Sequence, residues 1–244
     1  ISDPYKDILS GVDIPIETTT PWTYDDDNGN GNGNGNGNGN SGNGNGNGNG
    51  NSGNSITNGT LETYELQYIS NTPIPTPFAL INDGLTLNGD VEIEPGLYII
   101  NGGELNIKGD LSGTGVTFYL INSATLVVTA GAQMGKNTSE PLTAPTNGVF
   151  SGMLFLSDQH DDPVTHTFTG NSDMYMNGII YTPSDEIHVG GTAGISVYDD
   201  DNYCFQIVSH SISITGNSDV VFKDCIPAGT QPQLYLNSPI VLVE

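Results

Sequence analysis

The sequence predicts an all-β chain wound as a right-handed parallel β-helix, a solenoid with three strands per coil. Three observations predict it. First, short strands opening on Gly or Cys recur between Leu85 and Phe222: Gly96-Leu97-Tyr98-Ile99-Ile100, Gly115-Val116-Thr117-Phe118-Tyr119-Leu120, Gly152-Met153-Leu154-Phe155-Leu156, Gly178-Ile179-Ile180-Tyr181 and Cys204-Phe205-Gln206-Ile207-Val208. Second, two further series interleave with the first at the same spacing. One reads apolar-polar-apolar (Leu85-Thr86-Leu87, Leu105-Asn106-Ile107, Leu126-Val127-Val128, Ile187-His188-Val189, Ile212-Ser213-Ile214); the other runs Val91-Glu92-Ile93, Met174-Tyr175-Met176, Ile195-Ser196-Val197, Val220-Val221-Phe222. Third, Gly, Asn, Asp and Ser separate these strands, the residues that favour tight turns. A repeat of about twenty residues carrying three strands is one coil, and stacked coils bury one continuous core while the remaining side chains form flat outer ladders.

Taken in order, residues 1–27 form an N-terminal arm with apolar patches at Ile8-Leu9 and Val12-Asp13-Ile14-Pro15-Ile16, suited to lying along the rod or covering its first coil. Residues 28–55 are almost purely Asn-Gly, broken by Ser41 and Ser52. Such a tract has no apolar surface to offset its ordering entropy, so its default is a solvated coil spanning roughly 25–30 Å. Glycine at alternate positions also permits close packing on a neighbouring strand or chain. The β-helix is expected over residues 56–226. Tyr64-Glu65-Leu66-Gln67-Tyr68-Ile69 reads as a strand, followed by a turn at Pro73, Pro75 and Pro77. Loops are expected to leave the rod between Met134 and Val149 and at His160-Asp161-Asp162-Pro163. The recurring Phe118, Phe155, Ile180 and Phe205 are expected to stack inward in register. Residues 227–244 leave the repeat. They end in Ile240-Val241-Leu242-Val243, too apolar to stay free in water and expected to add to a sheet edge of a second subunit.

The 244 residues include 28 acidic and only four basic side chains, Lys6, Lys108, Lys136 and Lys223, with no arginine, for a net charge of −24. Phosphate would be repelled, which argues against nucleic acid and anionic membranes as partners. No apolar run approaches the roughly 18 residues that span a bilayer, so no membrane insertion is expected. The chain opens on Ile, consistent with removal of an N-terminal segment and an extracellular or cell-surface location. Cys204 and Cys225 lie 21 positions apart, close to one coil. Adjacent coils are separated by about 4.8 Å, within disulfide range, so a Cys204–Cys225 bridge and an oxidising compartment are expected.

The stretch from Pro95 to Cys225 resembles the C-terminal β-helical domain of TadG-like proteins, accessory components of tight-adherence (Flp) pilus systems. The matching motifs are Pro95-Gly96-Leu97-Tyr98-Ile99-Ile100-Asn101-Gly102-Gly103, Leu111-Ser112-Gly113-Thr114-Gly115-Val116, Ala144-Pro145-Thr146-Asn147-Gly148, Ser151-Gly152-Met153-Leu154-Phe155, Asn177-Gly178-Ile179-Ile180-Tyr181-Thr182-Pro183 and Ser211-Ile212-Ser213-Ile214-Thr215-Gly216-Asn217-Ser218. Asp3-Pro4-Tyr5 is similar to the start of that domain. The resemblance implies an envelope-associated or secreted surface protein with no activity assignable to residues. The chain departs from it in the Asn-Gly insert, in the tail beyond Cys225 and in lacking an N-terminal membrane segment. These departures suit a released, self-assembling relative.

Parallel β-helices often process acidic polysaccharides, but a lyase needs a cation to hold the sugar carboxylate, and this chain has no arginine and only scattered lysines. A hydrolase needs paired carboxylates; Asp161-Asp162 and Asp185-Glu186 qualify only as turn residues. His160, His166, His188 and His210 read as isolated surface or ladder histidines. No catalytic residue is therefore assigned. Asp25, Asp26, Asp27 and Asp199, Asp200, Asp201 concentrate oxygen ligands that would suit calcium, although neither has EF-hand spacing and solvated acidic turns explain both. Asn58-Gly59-Thr60 and Asn137-Thr138-Ser139 are glycosylation sequons. The expected function is a non-enzymatic extracellular structural subunit of a self-assembling surface filament or matrix. The rivals are a monomeric pilus-associated adhesin that binds carbohydrate or surfaces, and a polysaccharide-processing enzyme.

Overall fold

The computed structural model describes residues 54–61, 78–136, 140–158, 160–170, 173–196 and 204–223. Over these residues the chain is all-β, without a helix, and stacks parallel strands into a β-solenoid of about six turns. Among the described residues the leading coil is represented by β1 (Asn54–Leu61). The first coil holds β2 (Phe78–Asn82) and β3 (Leu85–Ile93), and the second β4 (Gly96–Asn101), β5 (Glu104–Ile107) and β6 (Asp110–Gly113). The third holds β7 (Val116–Ile121), β8 (Thr125–Val128) and β9 (Gln133–Met134). The short β10 (Leu142–Thr143) precedes β11 (Met153–Ser157) and β12 (Thr165–Gly170) of the fourth. The long β13 (Asp173–Gly191) runs from the fourth into the fifth, which β14 (Gly194–Ser196) closes. The sixth is β15 (Phe205–Ile214) and β16 (Asp219–Val220). Every ladder between these strands is parallel.

The three strand series of the sequence become three faces. On the first, register joins Tyr98 to Phe118, Phe155, Ile180 and Ile207. The rings of Tyr98 and Phe118 lie 5.6 Å apart and those of Phe118 and Phe155 stack at 5.1 Å, distances at which ring quadrupoles add to burial. Phe118, Phe155, Ile180 and Phe205 are all fully buried, as their recurrence predicts. The register differs at one place: Phe205 pairs with Gly178, and Ile207 stands opposite Ile180. Phe205 packs inward where Gly178 has no side chain.

On the second face one inward column runs Leu85, Leu105, Leu126, His166, Ile187, Ile212, and the next Leu87, Ile107, Val128, Phe168, Val189, Ile214. On the third face the column is Val91, Leu111, Met134, Met174, Ile195, Val220. The corner between the first two faces needs left-handed backbone in successive coils, at Asp83-Gly84, Gly102-Gly103 and Asn122-Ser123. A Cβ at Gly103 would lie 2.5 Å from the Asp83 carbonyl carbon, so only glycine lets the corners stack. An asparagine ladder runs along this corner: Asn101 donates to Asn82 at 2.7 Å, and Asn122 to Asn101.

Two expectations are corrected. The chain between Met134 and Val149 does not simply leave the rod: the fully buried Leu142 draws it back, and β10 pairs with Met176-Asn177 of β13. The outer side of the first face is also not an exposed ladder. Leu97, Ile99, Tyr119, Ile121, Leu156, Ile179 and Tyr181 are buried there in a second apolar cluster with Phe150 and Met153, so these strands are apolar on both sides, as strands covered on both faces are.

Candidate functional site

Two features of the rod are chemically distinctive: a buried polar cluster in the fourth and fifth coils, and the exposed apolar residues of the last described coil. The cluster is centred on Asp185. β13 and β15 slip register between Thr182 and Glu186, and a bulge of this kind re-aims a side chain. Here it turns Asp185 into the rod, where it is fully buried. Its Oδ2 accepts from the Ser157 hydroxyl at 2.6 Å and from His166 Nε2 at 3.1 Å. Its Oδ1 accepts from the Val164 backbone N–H at 3.1 Å and lies 3.1 Å from His160 Nε2. The Leu126 N–H donates to His166 Nδ1 at 3.0 Å, which fixes the His166 proton on Nε2, toward the carboxylate. Burial pushes the Asp185 carboxyl up, but the hydrogen bonds from His166, Ser157 and Val164 outweigh it and hold the group below its ordinary value.

This corrects the sequence reading of three residues. Asp185 belongs to a continuous strand and is buried rather than a turn acid. His166 occupies the inward Leu85–Ile212 column, and the His160 side chain is only 15 % exposed. The signal was a polar residue in an otherwise apolar column, visible only once His166 is aligned with Leu126. The arrangement clamps the 158–164 connection onto the rod. It is not built as a nucleophile: the Ser157 hydroxyl donates to a carboxylate, no imidazole nitrogen is placed to take its proton, and Ser157, His166 and Asp185 are sealed from solvent. Nearby, burial and the Asp158 charge push the Tyr119 hydroxyl up to about 12, so it stays neutral.

An open groove of about 740 Å³ crosses the third face, lined by Glu92, Glu94, Thr114, Lys136, Glu140 and Thr143. Lys136 is bound to Glu140 at 3.5 Å, so the groove presents carboxylates without a free cation and would repel an acidic polysaccharide.

At the C-terminal end the inward columns stop. Ile212 and Ile214 are 43 % and 46 % exposed although Ile187 and Val189 beside them are fully buried. Val221 and Phe222 are similarly exposed, with Phe222 stacked 6.1 Å from Phe205. Val221 still donates to the Ile195 carbonyl on the third face, and Lys223, the last described residue, exchanges backbone hydrogen bonds with Phe205 in an antiparallel bridge.

Other sequence candidates scatter. Asp161 and Asp162 are exposed at a bend, as turn acids; Glu186 is half-buried, His188 half-exposed on a strand and His210 exposed. Asn58 falls at the register slip between Thr57 and Gly59 of β1. Cys204 is disulfide-bonded. Cys225, Asp25, Asp26, Asp27, Asp199, Asp200, Asp201, Asn137 and the strand Ile240, Val241, Leu242, Val243 lie outside the described residues, and no group of three or more potential metal ligands occurs among those described. Comparison with protein-family models, curated proteins and solved structures returns no match, so none of them supports the resemblance to TadG-like domains.

Proposed function

We propose that the protein is a non-enzymatic, extracellular structural subunit that assembles with copies of itself into a cell-surface filament or matrix, with no resident cofactor. The observation that carries this reading is the last described coil, whose inward residues Ile212 and Ile214 are 43 % and 46 % exposed at the end of otherwise sealed columns. A sheet edge with exposed apolar core positions is a template for another strand, and a head-to-tail contact that does not close on itself yields an open filament. The buried, nucleophile-free geometry around Asp185 and the cation-poor groove support a non-enzymatic role. The test is negative-stain imaging with light scattering of the purified protein: filaments or large oligomers are expected, and a monomer at high concentration in every salt condition refutes the reading. Screening acidic polysaccharides for turnover tests the enzymatic rival.

A second reading, an adhesin, is favoured by one observation: Thr165, Thr167 and Thr169 alternate outward along β12, on a flat and largely polar second face. Binding of glycans by a monomer whose affinity falls on Thr167→Lys would support it over assembly.

A further inference from the structure

An asparagine followed by glycine readily loses its side-chain amide, because glycine adds no side chain to crowd the backbone nitrogen that attacks it. Four such pairs occur among the residues whose side chains the structure describes: Asn88-Gly89, Asn101-Gly102, Asn147-Gly148 and Asn177-Gly178. Three of the four are tied into the rod. Asn88 is half-buried and donates to the Ser55 hydroxyl at 3.0 Å. Asn101 belongs to the corner ladder, donating to Asn82 and accepting from Asn122, and the Gly102 N–H donates to the Ile121 carbonyl at 2.9 Å. Asn177 Oδ1 accepts from the Cys204 N–H at 2.9 Å, while the Gly178 N–H donates to the Cys204 carbonyl at 2.8 Å.

Asn147-Gly148 differs. Both residues are exposed, and among the described residues no hydrogen bond holds the Asn147 side chain or the Gly148 N–H. Nothing lies within 4 Å of the place a Cβ would take at Gly148. The base of the loop, by contrast, is anchored. The Gly152 N–H donates to the Pro145 carbonyl at 2.7 Å, the Met153 N–H to the Phe150 carbonyl at 2.9 Å, and Phe150 is buried in the second apolar cluster. The tip therefore has no contact that opposes ring closure, although the loop that carries it is fixed to the rod.

We propose that Asn147 is a site of spontaneous deamidation and that the fold protects Asn88, Asn101 and Asn177. This proposal is independent of the assembly reading. Hydroxide takes the Gly148 N–H proton and the nitrogen attacks Asn147 Cγ; the Cγ–Nδ2 bond breaks, and the amide leaves as ammonia with a proton from water. Water then opens the five-membered succinimide at either carbonyl, giving aspartate or isoaspartate, so that one water is consumed and one ammonia released overall. The exchange adds one negative charge to a chain already at −24. Isoaspartate also lengthens the backbone at the tip, beyond the bonds that anchor the loop. The protein thus ages into charge isoforms of an intact rod.

The test is peptide-mapping mass spectrometry of the full chain, held at mildly alkaline pH in native buffer and, in parallel, in concentrated urea. Mapping assigns each conversion by position, which separates these four sites from the Asn-Gly pairs of residues 28–53. In native buffer Asn147 should convert about tenfold or more faster than each of the other three, because those react only from locally opened states. In urea the four rates should converge. An Asn147 that converts no faster than Asn88, Asn101 or Asn177 in native buffer overturns the proposal. A native advantage that persists unchanged in urea overturns it too, since local sequence rather than the fold would then set the order. Asn147→Asp, which mimics one product, should melt at the wild-type midpoint; a lowered midpoint would show that the fold binds the Asn147 amide and would overturn the reading of a free tip.

Discussion

Replacing Asp185 by Asn tests whether the buried cluster holds the rod together. The carboxylate accepts from Ser157 and His166 on one oxygen and from Val164, with His160 at 3.1 Å, on the other. Asparagine keeps one acceptor oxygen and puts an NH₂ donor where the second stood. Two donors then face a donor in a site sealed from water, each costing about 1–3 kcal/mol. The sum is roughly 2–6 kcal/mol, overlapping the cost of breaking a buried charged contact. For a chain of this size that lowers the midpoint by roughly 4–24 °C, measurable by thermal denaturation. The pH dependence has a definite sign. The Asp185 pKa is lowered in the fold from 3.8, so its contribution is fully present above that value and is lost only as pH falls through the lower folded pKa. The wild-type advantage over Asp185→Asn should therefore be constant at neutral pH and shrink below about pH 4. A variant within 0.5 kcal/mol of wild type at pH 7, the range of ordinary surface substitutions, would refute the clamp.

Phe155→Ala removes a fully buried ring stacked on Phe118 and should cost about 3–5 kcal/mol; a loss under 1 kcal/mol in urea melts would contradict the central position of this column. The Cys204 disulfide should leave the protein mass unchanged on alkylation without reductant, and double alkylation of native protein would disprove a Cys204–Cys225 bridge. If Asp25–Asp27 or Asp199–Asp201 binds calcium, millimolar Ca²⁺ should raise the melting midpoint relative to chelator; superimposed melts would remove both sites.

The faces were legible because burial repeats with the coil. Every Gly-led strand places an aromatic or aliphatic inward residue two or three positions after its glycine, and period-two alternation on the second face separates Leu85 and Leu87 from Thr86 without reference to the rest of the chain. What was not legible depends on neighbours distant in sequence. His166 reads as a loop-flanking polar residue until Leu126, 40 residues earlier, is set beside it, and Asp185 reads as a turn acid because a bulge cannot be seen in composition. The Phe205 register was misplaced because the aromatic side chain was aligned by its type: Ile207 lies three residues after Cys204, as Phe118 and Phe155 lie three after their glycines. The return of Leu142 to the rod is set by a gap in the third face that only the assembled coils define.

The same dependence explains where function resides in such a rod. Each coil contacts only its neighbours, so interior coils satisfy their edges and bury their columns by repetition. Polar intrusions inside, such as Ser157, His166 and Asp185, are spent on holding a connection in place. The ends cannot be satisfied by repetition. At the last described coil Ile212 and Ile214 continue columns that every earlier coil covers, and among the described residues only the Lys223 bridge to Phe205 lies beyond it. A terminating coil selected only for solubility would replace those two positions by polar residues, as the outward Ser211 and Ser213 already are. Keeping isoleucine at both inward positions maintains the core pattern past its last coil, and that pattern is stable only against another strand. The last described coil is thus the place where the core pattern and its burial disagree most.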